Sequence, residues 1–195
     1  MNPEEIAVII PARVGSIRVP QKNFRPFAGG PSLLERAITF SHDIGLRDRV
    51  VVTTDHETFT QPGVQIVRRQ PEIPERPMMA VLSELVPVIA APFWLLLQPT
   101  SPFRQASDVY RCWSRLTPFV DSVITTTIKN GAHTPDGSVY LFRRENLVRY
   151  GHLFGRTWQT CRAAEPFTID TPAQWSEAEA RIIRRRRSPD ATGPE

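Results

Sequence analysis

Residues 6–10, Ile-Ala-Val-Ile-Ile, are apolar at every position, and a strand of that kind must be covered on both faces. This places it inside a sheet flanked by helices. A basic turn follows at once, and then Ser32 with Glu35 three residues later forms a capping box ahead of an apolar face of Leu33, Leu34, Ala37, Ile38 and Ile44. That helix returns the chain to a second apolar strand at residues 50–54. Strand and helix patterns go on alternating, which predicts an α/β fold, a three-layer sandwich around a mostly parallel, mixed sheet.

The remaining elements read from the same signals. Residues 64–67 are a third strand, residues 78–90 a helix disturbed by Pro87, and residues 93–97 a buried strand that delivers Gln98. Ser107 and Asp108 open a helix with Val109, Cys112, Trp113 and Leu116 turned inward. Residues 122–127 and 138–142 are strands, and residues 144–150 a short helix. The last helix has Thr171 as cap, Pro172 in its first position and Gln174 completing the box.

A chain of 195 residues with 41% hydrophobic content is expected to form a single domain over residues 1–187, with a disordered tail at 188–195. No apolar run approaches the length of a membrane span, and the first residues lack a signal-peptide pattern, so a cytoplasmic protein is expected. Cys112 and Cys161 read as inert core thiols. His42, His56, His133 and His152 show no metal-ligand spacing. Much of the formal charge of +4 sits in the arginine run 184–187, which reads as a solvated helix end, so neither a membrane nor a nucleic-acid partner is expected.

Ligands of open α/β sheets sit beyond the carboxyl ends of the strands. Three segments lie there: the turn Pro11-Ala12-Arg13-Val14-Gly15-Ser16 running on to Lys22-Asn23, then Thr54-Asp55, then Gln98-Pro99-Thr100-Ser101. Gly15 and Ser16 let backbone approach a ligand, and Arg13, Arg18 and Lys22 surround the turn with positive charge, a combination suited to phosphate. Only two lysines occur among 24 Lys and Arg residues, Lys22 and Lys129, so a flexible point charge at Lys22 stands out. On spacing alone the turn reads equally well as a solvated basic loop.

The order of the motifs carries further. PAR, Gly-Ser and Pro-x-Lys-Asn, then residues 50–55 (VVVTTD), 95–104 (LLLQPTSPFR) and 169–172 (IDTP), are colinear and resemble the CMP-sialic acid synthetase family of cytidylyltransferases. The resemblance implies a nucleotide-diphospho-sugar transferase (Rossmann-like) fold, and an enzyme that transfers CMP from CTP to an acidic sugar with loss of pyrophosphate. It implies Arg13 and Lys22 as catalytic cations. The nucleotide pocket would comprise Pro11, Ala12, Arg13, Gly15, Ser16, Lys22, Asn23, Thr54 and Asp55, and the acceptor side Gln98, Thr100 and Ser101. Asp170 is implied as the ligand of a magnesium ion.

Departures from the family pattern are specific. Val14 and Ile17 replace a glycine and a lysine of the family's first motif, and Thr168 stands where many members carry a second acid. Eight residues join Thr127 to Asp136, where the sialic acid enzymes hold a long extension that pairs subunits and lends sugar-binding residues. A monomer or an atypical homodimer with an open acceptor side is therefore expected. Another nucleotide, a phosphonate acceptor on the same fold, or a catalytically weakened nucleotide-binding protein are the alternatives left open.

Overall fold

The computed structural model describes residues 2–70 and 77–187. In chain order the elements are β1 Ile6–Ala12, α1 Leu33–Asp43, β2 Val50–Thr54, β3 Gln65–Arg68, α2 Met78–Leu85, β4 Phe93–Leu96, α3 Ala106–Arg115, β5 Ser122–Lys129, β6 Ala132–Arg143, α4 Glu145–Tyr150, β7 Trp158–Arg162 and α5 Pro172–Arg187. The strands form one sheet of order β3-β2-β1-β4-β6-β5-β7. Strand β6 runs antiparallel to both neighbours and the other pairings are parallel, so the sheet is mixed.

Two apolar layers explain the three-layer arrangement. All seven residues of β1 are buried, and because side chains alternate along a strand, Ile6, Val8 and Ile10 pack with α1 and α3 residues such as Leu34, Ile38, Val109 and Cys112. Ala7 and Ile9 face the opposite layer, with Leu82 and Leu85 of α2 and Leu147 of α4. A third cluster joins Phe27, Leu33, Ile169 and Trp175 beneath the start of α5. No helix among the described residues is long and apolar enough to cross a membrane.

The boundaries differ where distant contacts decide. Helix α2 stops at Leu85 rather than at residue 90, because Pro87 has no N–H and its ring would meet the carbonyl four residues back. Helix α3 starts slightly earlier than expected, at Ala106: Asp108, its third residue, accepts from Gln105 N–H (3.2 Å) and returns its own N–H to Gln105 O (3.0 Å). The eight residues after Thr127 do not form a loop. They complete a hairpin, with Thr127 opposite Thr134 and Lys129 opposite Ala132, closed by Asn130 (φ 51°) and Gly131 (φ 77°) in the left-handed region that tight hairpin turns require.

Strand β7 carries no apolar run, since only Cys161 of its five residues is buried. It is held in register by β5, and its carbonyls are capped from α3, where Arg111 Nη2 donates to Arg162 O (3.2 Å) and Arg115 Nη1 to Thr160 O (2.5 Å). The sheet edge is thus closed by side chains instead of another strand. The tail expected to be disordered, residues 188–195, lies outside the described residues.

Candidate active site

Strands β1, β2 and β4 deliver the three motif segments to one end of the sheet, and loop hydrogen bonds lock them together. Val14 N–H donates to Asp55 Oδ1 (2.7 Å), tying the basic turn to the end of β2. Ser16 N–H returns to Val14 O (2.9 Å), which tightens the turn around Gly15. Asn23 Nδ2 donates to Arg13 O (3.2 Å) and Asn23 O accepts from Leu34 N–H (3.0 Å), so the turn is also fixed to α1. The opposite atom of that amide, Asn23 Oδ1, is buried with no hydrogen-bond partner. A buried acceptor left unpaired costs about 1–3 kcal/mol, and such atoms mark sites where a ligand or ion completes the bonding.

Lys22 makes the longest link in the site. Gln21 before it takes a left-handed φ of 51°, which swings Lys22 inward, and its ammonium donates to Ile169 O (2.7 Å) and lies 3.6 Å from Asp170 Oδ1. The first and last motifs, nearly 150 residues apart, meet here. Burial pulls the Lys22 ammonium below the ordinary lysine range; Asp170 opposes that shift, and Arg18 and Arg13 add to it. Asp170, implied above as a magnesium ligand, precedes α5 but does not cap it. Capping falls to other groups: Gln174 N–H donates to Thr171 Oγ1 (3.3 Å), and Gln174 Oε1 accepts from the N–H of Asp170 (2.8 Å) and Thr171 (2.9 Å). The Asp170 carboxylate is left half-exposed beside Lys22.

Next to this pair lies a cavity of about 380 Å³, whose lining includes Gln98, Lys129, Asp136, Tyr140, Thr168 and Asp170. Gly137 (φ 83°) forms its tightest wall: a β-carbon there would fall 2.7 Å from Gln98 Oε1 and 3.4 Å from Ser101 Oγ. Ser101 Oγ is, like Asn23 Oδ1, buried and unpartnered. Thr168, at the position of the family's second acid, donates to Asp136 O (2.7 Å). The Asp136 carboxylate accepts from Thr125 Oγ1 (2.5 Å) and Ser138 Oγ (2.6 Å). Burial, with Asp136 nearby, pushes the Tyr140 phenol up to about 12.

Some expected contacts are spent inside the protein. Thr54 is fully buried, and its hydroxyl accepts from His56 N–H (3.0 Å). The side chains of Pro11 and Ala12 are buried in β1, and Thr100 O is taken by Ile169 N–H (2.9 Å). Gly15 and Ser16 remain at the mouth of the turn. Sequence reasoning missed Arg104, Lys129, Asp136, Gly137 and Tyr140. Two signals were available: Lys129 is the second of only two lysines, and Asp136-Gly137 is a strong turn pair. The hairpin also places Thr127, Lys129 and Pro135 in the lining of the cavity.

Among the described residues, no group of three or more His, Cys, Asp or Glu side chains could hold a metal ion alone. Magnesium does not need one, since it is commonly bound by one or two carboxylates with waters and substrate phosphates. The single half-exposed Asp170 carboxylate fits that mode.

Comparison with known proteins bears on the family and the fold. A cytidylyltransferase family model matches residues 7–110. The chain is 30% identical to the CMP-N,N'-diacetyllegionaminic acid synthase of Legionella pneumophila, over 89% of its own length and 94% of that protein's. Its fold resembles a CMP:2-keto-3-deoxy-manno-octonic acid synthetase solved with CTP (TM-score 0.67, 16% identity, covering 92% of this chain and 98% of that one). It also resembles a nucleotidyl transferase from Methanothermobacter (TM-score 0.70, 16% identity, with the same coverage).

Proposed function

The chain belongs to the cytidylyltransferase family, and on that premise we propose that it transfers CMP from CTP to an acidic sugar of the sialic acid type, releasing pyrophosphate. The observation that carries this reading is the meeting of Lys22 with Ile169 O and Asp170 at the mouth of the cavity lined by Gln98. A hydroxyl of the acceptor, seated in that cavity, attacks the α-phosphorus of CTP. The new bond forms to that oxygen, the bond from the α-phosphorus to the bridging oxygen breaks, pyrophosphate leaves with that oxygen, and the hydroxyl proton passes to solvent.

Positive charge must be ready where the triphosphate develops negative charge. Arg13 and Lys22 supply it, and the tight turn at Gly15 and Ser16 lets the backbone approach the phosphates. Asn23 Oδ1 is an acceptor and turns toward a ligand hydroxyl or amino group, while Pro11, Ala12, Thr54 and Asp55 shape the base end of the pocket through backbone and turn bonding. Gln98 and Ser101 meet the acceptor without repelling its carboxylate, and Thr100 holds the Ile169 segment against them. Magnesium, held by Asp170 with phosphate oxygens and water, would neutralise the triphosphate. The chain acts as a monomer, or as a homodimer formed through a surface other than a long extension.

The decisive assay is pyrophosphate release from CTP across eight- and nine-carbon sugar acids and phosphonates. Thermal stabilisation by CTP is compared in parallel with ATP, GTP and UTP, since ligand at 100 times its dissociation constant adds about 2.7 kcal/mol. Turnover with phosphonates alone would reassign the acceptor. CTP binding without turnover would make the chain a nucleotide-binding protein, the reading favoured by Thr168.

Two variants test parts of the site. Lys129→Ala should raise the acceptor KM about tenfold with the CTP dissociation constant unchanged, because Lys129 is a cation lining the acceptor cavity. An unchanged acceptor KM would remove it from the site. Asp170→Asn should weaken the magnesium requirement's midpoint by about tenfold, and Thr168→Asp should tighten it. If Asp170→Asn kept the parental magnesium titration, Asp170 would serve only as the partner of Lys22.

A further inference from the structure

Helix α5 ends in arginines that do not share one environment. Arg185 pairs with Glu165 (2.6 Å), and Arg181 with Glu177 (2.5 Å) and more loosely with Glu165 (3.8 Å). Arg186 differs. It turns to the tight turn between Phe27 and Gly30 and donates from Nη1 to Ala28 O (2.7 Å). Arg36 of α1 reaches the same turn from the other side, with Nε on Pro31 O (3.1 Å) and Nη2 on Phe27 O (3.4 Å).

The two guanidinium groups converge beside Gly30. A β-carbon on that glycine would lie 2.9 Å from Arg186 Nη2 and 3.5 Å from Arg36 Nη2, so the missing side chain leaves this approach uncovered. Among the described residues neither group makes an ion pair, and the carboxylate that reaches this turn, Glu179, accepts from Ala28 N–H (2.9 Å). Like charges this close repel, and burial together with Arg186 pulls the Arg36 guanidinium below its ordinary range. Each arginine carries five N–H donors, and the backbone carbonyls use only two from Arg36 and one from Arg186. An anion with several acceptor oxygens would relieve the repulsion and take the free donors.

We propose that Arg36 and Arg186, with the bare backbone of Gly30 between them, form a phosphate-binding site separate from the cleft. Guanidinium pairs suit this ligand because their planar donor edges match phosphate oxygens in parallel pairs. The site lies fourteen residues along α5 from Pro172, about 21 Å at the helical rise per residue. It joins the far end of α5 to the segment that leads from Lys22 into α1. Its ligand is either free phosphate or pyrophosphate, and it requires no part of the transfer chemistry.

Calorimetric titration tests the site in the full chain carrying Lys22→Ala, which removes one cleft cation. Phosphate and pyrophosphate are titrated separately at constant ionic strength, and the tighter of the two identifies the natural ligand. Saturable binding is expected, falling at least tenfold when Arg36→Gln and Arg186→Gln are added. Gly30→Ala should produce a similar loss, because its methyl group displaces the Arg186 guanidinium; Gly30 does not occupy the left-handed region, so its backbone accepts alanine. If the arginine variants fail to fold by circular dichroism, the Gly30→Ala result decides. Equal binding in the parent and Gly30→Ala chains, or no binding to the parent, would overturn the proposal.

Discussion

Lys22→Ala is expected to lower kcat/KM for CTP by about 10²- to 10³-fold, the range seen when one group stabilising transition-state charge is deleted. Its effect on folding should be small. The substitution removes one hydrogen bond to Ile169 O, for which about 1 kcal/mol is typical, and an ion pair whose acidic side chain is 49% exposed, which adds little. Steady-state kinetics beside urea denaturation would separate the two effects. Parental turnover in the variant would exclude the basic turn from the transfer site. Lys22→Arg should recover only part of the activity, because the longer, forked guanidinium cannot keep the point contact on Ile169 O.

The same residue sets a pH dependence. Burial lowers the Lys22 ammonium, so in the free enzyme it loses its proton at a lower pH than an ordinary lysine. The deprotonated amine carries no charge for the triphosphate, and kcat/KM for CTP should therefore fall as pH rises, with an alkaline limb below the ordinary lysine range. The limb should disappear in Lys22→Arg. A profile flat through that range would mean that Lys22 does not bind CTP in its charged form.

What could be read from the sequence was local. Ser32 and Glu35 exchange the bonds their spacing predicted, Glu35 N–H to Ser32 Oγ (3.2 Å) and Ser32 N–H to Glu35 Oε2 (2.7 Å). Thr171 and Gln174 do the same at α5. Strand β1 was legible because burial on both faces leaves no room for a polar residue. The convergence of the motif segments followed from sheet topology, although which atoms face a ligand did not. Thr54 and Asp55 stand where expected, yet their side chains bond neighbouring backbone.

What stayed hidden depends on partners far along the chain. Strand β7 has one buried residue and no hydrophobic pattern, so only its pairing with β5 and the arginines of α3 define it. The arginine run 184–187 read as uniformly solvated, but Arg185 and Arg186 are docked by Glu165 and Ala28 O, residues with no sequence relation to them. Arg104 belongs to this class. Its motif was visible, while its role depends on Ser138, which only the fold brings near.

Arg104→Met should be the most destabilising of the substitutions considered, by about 3 kcal/mol. The guanidinium is buried, donating from Nε to Ser138 O (2.9 Å) and from Nη2 to Gln98 O (2.5 Å), and it sits over the Phe40 ring at 5.4 Å. Burial lowers it to about 10, with Asp136 and Asp108 opposing the shift, so it stays charged at neutral pH. Methionine fills similar volume but leaves two buried carbonyls without donors, each costing about 1–3 kcal/mol. The functional consequence runs through Gln98, whose backbone loses its tie to β6 and whose side chain packs against Gly137 in the cavity wall. Acceptor KM should rise more than CTP KM, whereas general unfolding would depress the active fraction and lower kcat alone. Arg104→Lys should restore part of the stability, since one ammonium can satisfy one carbonyl but not hold both in the fork geometry. Urea midpoints and the two KM values measured on the three proteins check the argument, and an Arg104→Met chain with parental stability and unchanged acceptor KM would show that Gln98 is positioned without it.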